Sequence, residues 1–353
     1  MRHCCQQGSK LVLSLLTNIW YYDILFVRYI ITKYRYVMNK ELISVIVPCY
    51  NESEALGFFF EEINKVIASM PDYDFEVIYV DDGSKDSTLE IIRNRAKQDA
   101  LTRYVSFSRN FGKEAGMLAG LRAAKGDYAA IMDADLQDPP SLLPEMMNIL
   151  KEKKCDSVAT RRGTRKGEPP VRSFFAKCFY GIVNKISKVK LVPGARDYRL
   201  MSRRMLDAVL SMSEYNRFSK GIFEWVGFKT EWITYENIER VAGKTKWSFW
   251  GLFKYSIECI VAFSTAPLAI SSLFGILMFL MSIIGSLVII IRKIIDSSSS
   301  VSGWASLICI ILFVGGLQLL CIGVLGQYLS KTYMETKHRP DYIIAETEDS
   351  EEE

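Results

Sequence analysis

Tyr128-Ala-Ala-Ile-Met132 runs directly into Asp133-Ala-Asp135-Leu-Gln137. An apolar run followed by two carboxylates and an amide reads as a buried strand delivering oxygen donors to one edge of a sheet. Side chains at alternate positions of an extended segment share a face, so the spacing predicts that Asp133, Asp135 and Gln137 converge. Oxygen donors of that kind suit Mg2+ or Mn2+. A solvated acidic turn has the same composition, and the neighbouring segments decide between the two.

Upstream, the same change from apolar to polar recurs three times. Ser44–Pro48, Phe75–Val80 and Arg103–Ser108 read as strands, and Asp156–Thr160 as a further short one. Helical periodicity fills the gaps at Glu54–Ser69, Ser87–Gln98, Glu114–Ala124 and near Ser141–Lys151. Strands joined by helical crossovers make a parallel sheet covered on both faces. Such sheets bind ligands beyond the carboxyl ends of their strands. Cys49-Tyr50-Asn51-Glu52, Asp81-Asp82-Gly83-Ser84, Ser108-Arg109-Asn110 and Asp133–Gln137 all fall there. Neither G-x-G-x-x-G nor a P-loop occurs, so neither a dinucleotide fold nor a Walker-type site is indicated. Paired strand-end carboxylates suit a base, a ribose and a metal-bound diphosphate. At Asp81–Asp82 a plain helix entry, capped by Asp86 or Ser87, is the bland reading.

A chain of 353 residues has room for one large domain and an appendage. A net charge of +4 is too mild to imply a nucleic-acid partner. Cations do gather at Arg161, Arg162, Arg165, Lys166 and Arg172, and the acidic residues from Glu346 to Glu353 read as a disordered, solvated tail. The eight cysteines include no C-x-x-C pair and read as reduced, mostly buried thiols. His3 and His338 lie outside the strand pattern, which argues against histidine catalysis and zinc hydrolysis.

Pro267–Ile291 and Ala305–Leu329 are uncharged, and each exceeds the ~20 residues needed to cross a bilayer. The short link Arg292–Trp304 makes them an antiparallel hairpin, with both soluble flanks on one side. Lys244, Lys246 and Lys254 before the pair, with Lys331, Lys337 and Arg339 after it, place that side in the cytoplasm, although Arg292 and Lys293 pull the other way. Leu11–Ile31 is interrupted by Asp23 and Arg28 and lacks a signal-cleavage pattern, so Met38-Asn39-Lys40 reads as a plausible start. The expected division is an N-terminal extension over 1–40, a catalytic domain over 41–240 with an interfacial helix near 170–188, and a juxtamembrane amphipathic helix over 241–263. A hairpin over 264–330 and an acidic cytoplasmic tail over 331–353 complete it.

Val47-Pro-Cys-Tyr-Asn-Glu52, Val80-Asp-Asp-Gly-Ser-Lys-Asp-Ser-Thr88, Ser108-Arg-Asn-Phe-Gly-Lys-Glu114 and Met132-Asp-Ala-Asp-Leu-Gln-Asp-Pro-Pro140 together resemble family 2 glycosyltransferases of the GT-A fold. The closest branch is the polyprenyl-phosphate glycosyltransferases, similar to bactoprenol glucosyltransferase and dolichol-phosphate mannose synthase. Gly194-Ala-Arg-Asp-Tyr-Arg199, Arg217-Phe-Ser-Lys-Gly221 and Ala242-Gly-Lys-Thr-Lys246 match its later motifs. The Q-x-x-R-W of processive synthases is absent, which argues for a single transfer.

The resemblance implies a GT-A domain followed by interfacial helices and a two-helix transmembrane hairpin in the inner (plasma) membrane. It implies Pro48, Tyr50 and Glu52 in the base and ribose pocket, Asp82 with Asp81 facing the base, and Lys113 near the donor phosphates. It gives the metal chiefly to Asp135, with Asp133 and Gln137 assisting, and Arg161, Arg172 and Lys246 to the lipid phosphate. Asp197 matches an aspartate near sugar and acceptor, either orienting hydroxyls or pairing with Arg196 and Arg199. The implied partners are a nucleoside-diphosphate sugar, polyprenyl phosphate and the bilayer, with a tetramer, a flippase and a second glycosyltransferase as further associations. The acceptor phosphate is largely dianionic at neutral pH, so an inverting displacement needs no general base. UDP-glucose is the expected donor; GDP-mannose, UDP-N-acetylglucosamine or an aminopentose donor, and a silent membrane scaffold, are the alternatives.

Overall fold

The computed structural model describes residues 40–163, 190–236, 264–295 and 303–351, with short pieces at 181, 184–185 and 260–261. β1 (Glu41–Cys49), β2 (Tyr73–Asp81), β3 (Thr102–Phe107) and β4 (Tyr128–Ile131) pair in parallel, in the order β4-β1-β2-β3. The crossovers are α1 (Leu56–Ser69), α2 (Thr88–Gln98) and α3 (Lys113–Ala123). β1 is central and apolar on both faces. Ile43, Val45 and Val47 enter one core with α1, and Ile46 enters the other with α3. Each such fully buried aliphatic side chain contributes about 1.5–3 kcal/mol. Gly120 of α3 sits directly on Ile46, where any side chain would collide, so α3 packs tightly against β1.

The sheet is not wholly parallel. β6 (Ala195–Ser202) lies antiparallel between β4 and β5 (Ser157–Arg162), and β7 (Thr230–Tyr235) runs parallel to β5 at the far edge. α4 (Leu143–Glu152) covers the α1 face, while α5 (Arg203–Ser211) and α6 (Ser219–Trp225) cover the α3 face. β6 escapes the hydrophobic pattern because Arg196, Asp197 and Arg199 interrupt it. Its pairing with β4 nevertheless places Arg199 opposite Ile131.

α7 (Ala266–Ile295) and α8 (Trp304–Thr336) are long and apolar enough to cross a membrane. None of either helix's apolar window is buried, which separates them from core helices of a soluble protein. Tyr328 in α8 donates to the Ser264 carbonyl at the start of α7. At the same, C-terminal end of α8, Lys331 donates to Asn216, and Glu335 accepts the Tyr215 backbone N–H.

The expectation of a disordered acidic tail fails. β8 (Ile344–Thr347) pairs antiparallel with the β3 edge. Arg93 meets Glu346 through two N–H groups, and Arg103 bridges Glu348 to the buried Glu76. Tyr342 stacks on Phe107. The tail's charge reads as solvation in the sequence, but Arg93 of α2 and Arg103 of β3 supply the cations that pair with it. The expected interfacial helices near 170–188 and 241–263 lie almost wholly outside the described residues, as do residues 1–39.

Candidate active site

The loops that leave β1 and β2 are knitted together. Asn51 donates its backbone N–H to Ser84, and its side-chain oxygen accepts from Lys85. The Glu52 N–H reaches Thr88, and the Ser53 N–H reaches Asp86. Asp86 also takes the N–H of Thr88, the first residue of α2, as a cap would. Asn51 has φ 52°, the left-handed region that asparagine tolerates. Pro48, Tyr50 and Glu52 are half-buried at this rim.

Asp81 and Asp82 turn inward from the same rim. Asp81 accepts from Ser106 and from the Ser84 N–H, and is 2% exposed. Asp82 takes the backbone N–H of Phe111 at 2.6 Å and of Gly112 at 2.9 Å. Burial pushes its carboxyl up to about 6, against the opposing pull of those two donors. Both of its oxygens brace the β3–α3 loop through these backbone donors. Gly83, at φ 63°, lies so close to the Arg109–Asn110 backbone that a Cβ would stand 2.7 Å from the Asn110 nitrogen. Only glycine fits there.

The cluster at the ends of β4 and β6 has different partners. Lys113, the first residue of α3, places its ammonium 2.7 Å from Asp133 and 2.5 Å from Asp197. Lys220 of α6 approaches Asp197 from another side, at 3.5 Å. Burial lowers the Lys113 pKa, but the two carboxylates outweigh it and hold the ammonium well above its usual range. Burial likewise raises Asp197, and Lys113 and Lys220 outweigh it, holding the carboxyl far below the ordinary carboxylate range. Asp197 therefore pairs with lysines from two helices, not with its flanking arginines. Arg196 turns to the opposite face of β6. Arg199 is buried against Glu224, between Phe223 and Trp232.

The alternation predicted for Asp133, Asp135 and Gln137 stops when β4 ends at Ile131. Residues 134–138 turn, with Leu136 at φ 56°. A left-handed leucine costs on the order of 1–3 kcal/mol, and its burial in the core offsets that cost. Asp135 is buried and accepts the Gln137 N–H. The Gln137 amide oxygen accepts from Arg162 and Arg196. Asp138, fully buried and not singled out in the sequence, takes both Arg196 and the Tyr235 hydroxyl, leaving its second oxygen unpartnered.

Asp133 and Asp135 offer hard oxygen donors to a divalent ion, and the ammonium between Asp133 and Asp197 marks a field that attracts cations. Among the described residues no three His, Cys, Asp or Glu side chains gather to hold an ion unaided. That fits Mg2+ or Mn2+, which keep waters and bind through one or two carboxylates with substrate phosphates. Arg161 is exposed and donates to Thr234 on β7, while Arg172 and Lys246 lie outside the described residues. Lys220 and Glu114 were missed by the sequence reading. The quoted motifs contained both, but only folding brings their helices together.

A model described as Glycosyl transferase family 2 matches residues 44–210. CsbB of Bacillus subtilis (strain 168), a candidate glycosyltransferase, is 42% identical over 88% of this chain and 93% of its own length. The prophage bactoprenol glucosyl transferase homolog of Escherichia coli (strain K12) is 40% identical over 86% of this chain and 98% of its own. The bactoprenol glucosyl transferase of Shigella phage SfV is 39% identical over 86% and 97%. Among solved structures, glucosyl-3-phosphoglycerate synthase from Mycobacterium tuberculosis, in complex with Mn2+, UDP-glucose and phosphoglyceric acid, aligns over 63% of this chain and 78% of that one. Its TM-score is 0.41, at 21% identity.

Proposed function

We propose, from the premise that this chain belongs to glycosyltransferase family 2 and is a glycosyltransferase, that it moves one glucosyl unit from UDP-glucose to a polyprenyl phosphate. The bactoprenol glucosyl transferases it resembles support that acceptor and that sugar. The observation that carries the reading is the Asp133–Lys113–Asp197 cluster, an exchangeable ionic site at the strand ends of a domain held against two apolar helices.

In this reading Tyr50 and Glu52 flank the nucleoside, while Asp81 and Asp82 keep the neighbouring loops in place behind it. Asp133 and Asp135 hold Mg2+ or Mn2+, which, when bound, neutralises the charge developing on the departing diphosphate. Lys113, released from Asp133, donates to the same phosphate oxygens. Asp197 then orients sugar hydroxyls beside the anomeric carbon. The acceptor phosphate supplies its own nucleophilic oxygen, so the residues position rather than deprotonate it. Arg161, Arg172 and Lys246 attract this second anion, with arginine's planar fork suited to phosphate.

Both flanks of the helix pair belong on one membrane side: Lys331 and Glu335 meet the catalytic domain, and β8 continues its sheet. We assign that side to the cytoplasm from Lys331, Lys337 and Arg339. The test is to incubate membranes containing the full chain with labelled nucleotide sugars and extract the lipid product. Label from UDP-glucose in a phosphate-linked polyprenyl lipid is expected. Label from a different donor overturns the sugar assignment, and absence of labelled lipid from every donor overturns the acceptor.

A further inference from the structure

Two ammonium groups reach Asp197 from two helices, and each sits next in the chain to one member of a second, partly buried pair. Glu114 follows Lys113 at the start of α3, and Ser219 precedes Lys220 at the start of α6. Glu114 accepts both the Ser219 N–H, at 3.0 Å, and the Ser219 hydroxyl. That clip ties the two helices together at the level of the site. A carboxylate sunk among protein atoms is costly unless its hydrogen bonds are satisfied, and Glu114 satisfies its own with Ser219, not with either adjacent lysine. The lysines are thereby left to Asp133 and Asp197.

Asp133 and Asp197 are met here by two ammonium groups, Lys113 and Lys220. Were Asp133 to hold a divalent ion, Lys113 would be free to turn from it toward an anion. Lys220, at 3.5 Å from Asp197, holds a longer contact than Lys113 and is about one-third exposed. Each ammonium carries three donors on a flexible stem. The oxygens that a transfer between two phosphorylated substrates brings to this point are phosphate oxygens.

We propose that Lys220 is a phosphate-binding residue of this enzyme, that it exchanges Asp197 for phosphate oxygens when substrate binds, and that the Glu114–Ser219 clip is the positioning element that presents it. The inference rests on the transfer reading above. The phosphate comes either from the nucleotide sugar's diphosphate or from the lipid acceptor's monoester, and two measurements separate them. The full chain in detergent is compared with K220A, K220R and E114A. Calorimetry follows UDP binding in the presence of Mn2+, steady-state kinetics give the KM of each substrate, and the unfolding midpoint of each variant is recorded.

In K220A, with an unchanged midpoint, UDP affinity falls at least fivefold if Lys220 holds the diphosphate. The lipid-phosphate KM rises at least fivefold, with UDP affinity intact, if it holds the acceptor. K220R recovers most of the loss, and E114A moves the same constant in the same direction although both lysines remain. K220A constants within twofold of the native chain, or a loss confined to kcat, overturn the proposal. Should the native chain bind UDP yet glycosylate no lipid, the transfer reading falls, and the UDP arm decides Lys220: fivefold weakening sustains it and unchanged binding overturns it.

Discussion

Asp81–Asp82 at the end of β2 and Asp133–Asp135 at the end of β4 look alike in sequence and differ in their partners. The first pair is enclosed by groups that cannot leave, namely the Phe111 and Gly112 backbone N–H groups and the Ser106 hydroxyl. The second opens onto Lys113, a side chain that reaches Asp133 from the start of another helix. A carboxylate bonded to backbone donors fixes a loop; one bonded to an ammonium keeps a site neutral until a better ion arrives. The partner, not the acid, separates scaffold from chemistry.

The largest expected effect tests the second pair. D133N should lower transfer to lipid phosphate by about 100- to 1000-fold, the usual size for losing a group that stabilises developing charge. Its unfolding midpoint should stay within about 2 °C, because Asp197 still holds Lys113. A midpoint that collapses along with activity would make Asp133 structural. Removing divalent ions with a chelator should likewise stop transfer and leave the midpoint unmoved, with Mn2+ restoring activity. Activity that persists in excess chelator would remove the metal from the account.

D82A should behave in the reverse way. Two partly buried N–H groups lose their acceptor, a cost of about 1–3 kcal/mol in all, readable as a lower denaturant midpoint. A stability change under about 0.5 kcal/mol would break the contrast between the two pairs.

The pH dependence sharpens it. Asp82 titrates near 6 in the folded chain, against an ordinary value of 3.8. Between those values the folded state binds a proton that the unfolded chain lacks. Its contribution to stability is therefore fully present below about pH 4 and is lost as the pH rises through about 6. The slope of stability against pH in that window should flatten in D82N; an unchanged slope would show that another group carries it. The smallest effect is expected at the tail. R93A breaks a partly exposed pair with Glu346 and should cost about 0–1 kcal/mol, seen as a slight midpoint shift; a larger loss would mean that β8 anchors the domain more firmly than its edge position suggests.

The parallel half of the sheet could be read from the chain because each strand there is locally apolar and each exit locally polar. β6, β7 and β8 could not. Arg196, Asp197 and Arg199 disguise β6, since their partners Asp138, Lys113 and Glu224 come from other elements. The acidic run of β8 reads as solvation until Arg93 and Arg103 are found beside it. Spacing also misled at Gln137: the period-two argument requires extended backbone, and the left-handed Leu136 ends it.

The residue order by itself determined the strand–helix alternation, the polar strand exits and the paired apolar helices, because those depend on neighbours a few positions apart. Which carboxylates are locked and which are exchangeable was decided only by the tertiary structure. Ionic pairing is a matter of distance in space, and Lys113, Asp133, Asp197 and Lys220 become neighbours only when α3, β4, β6 and α6 pack around a common edge.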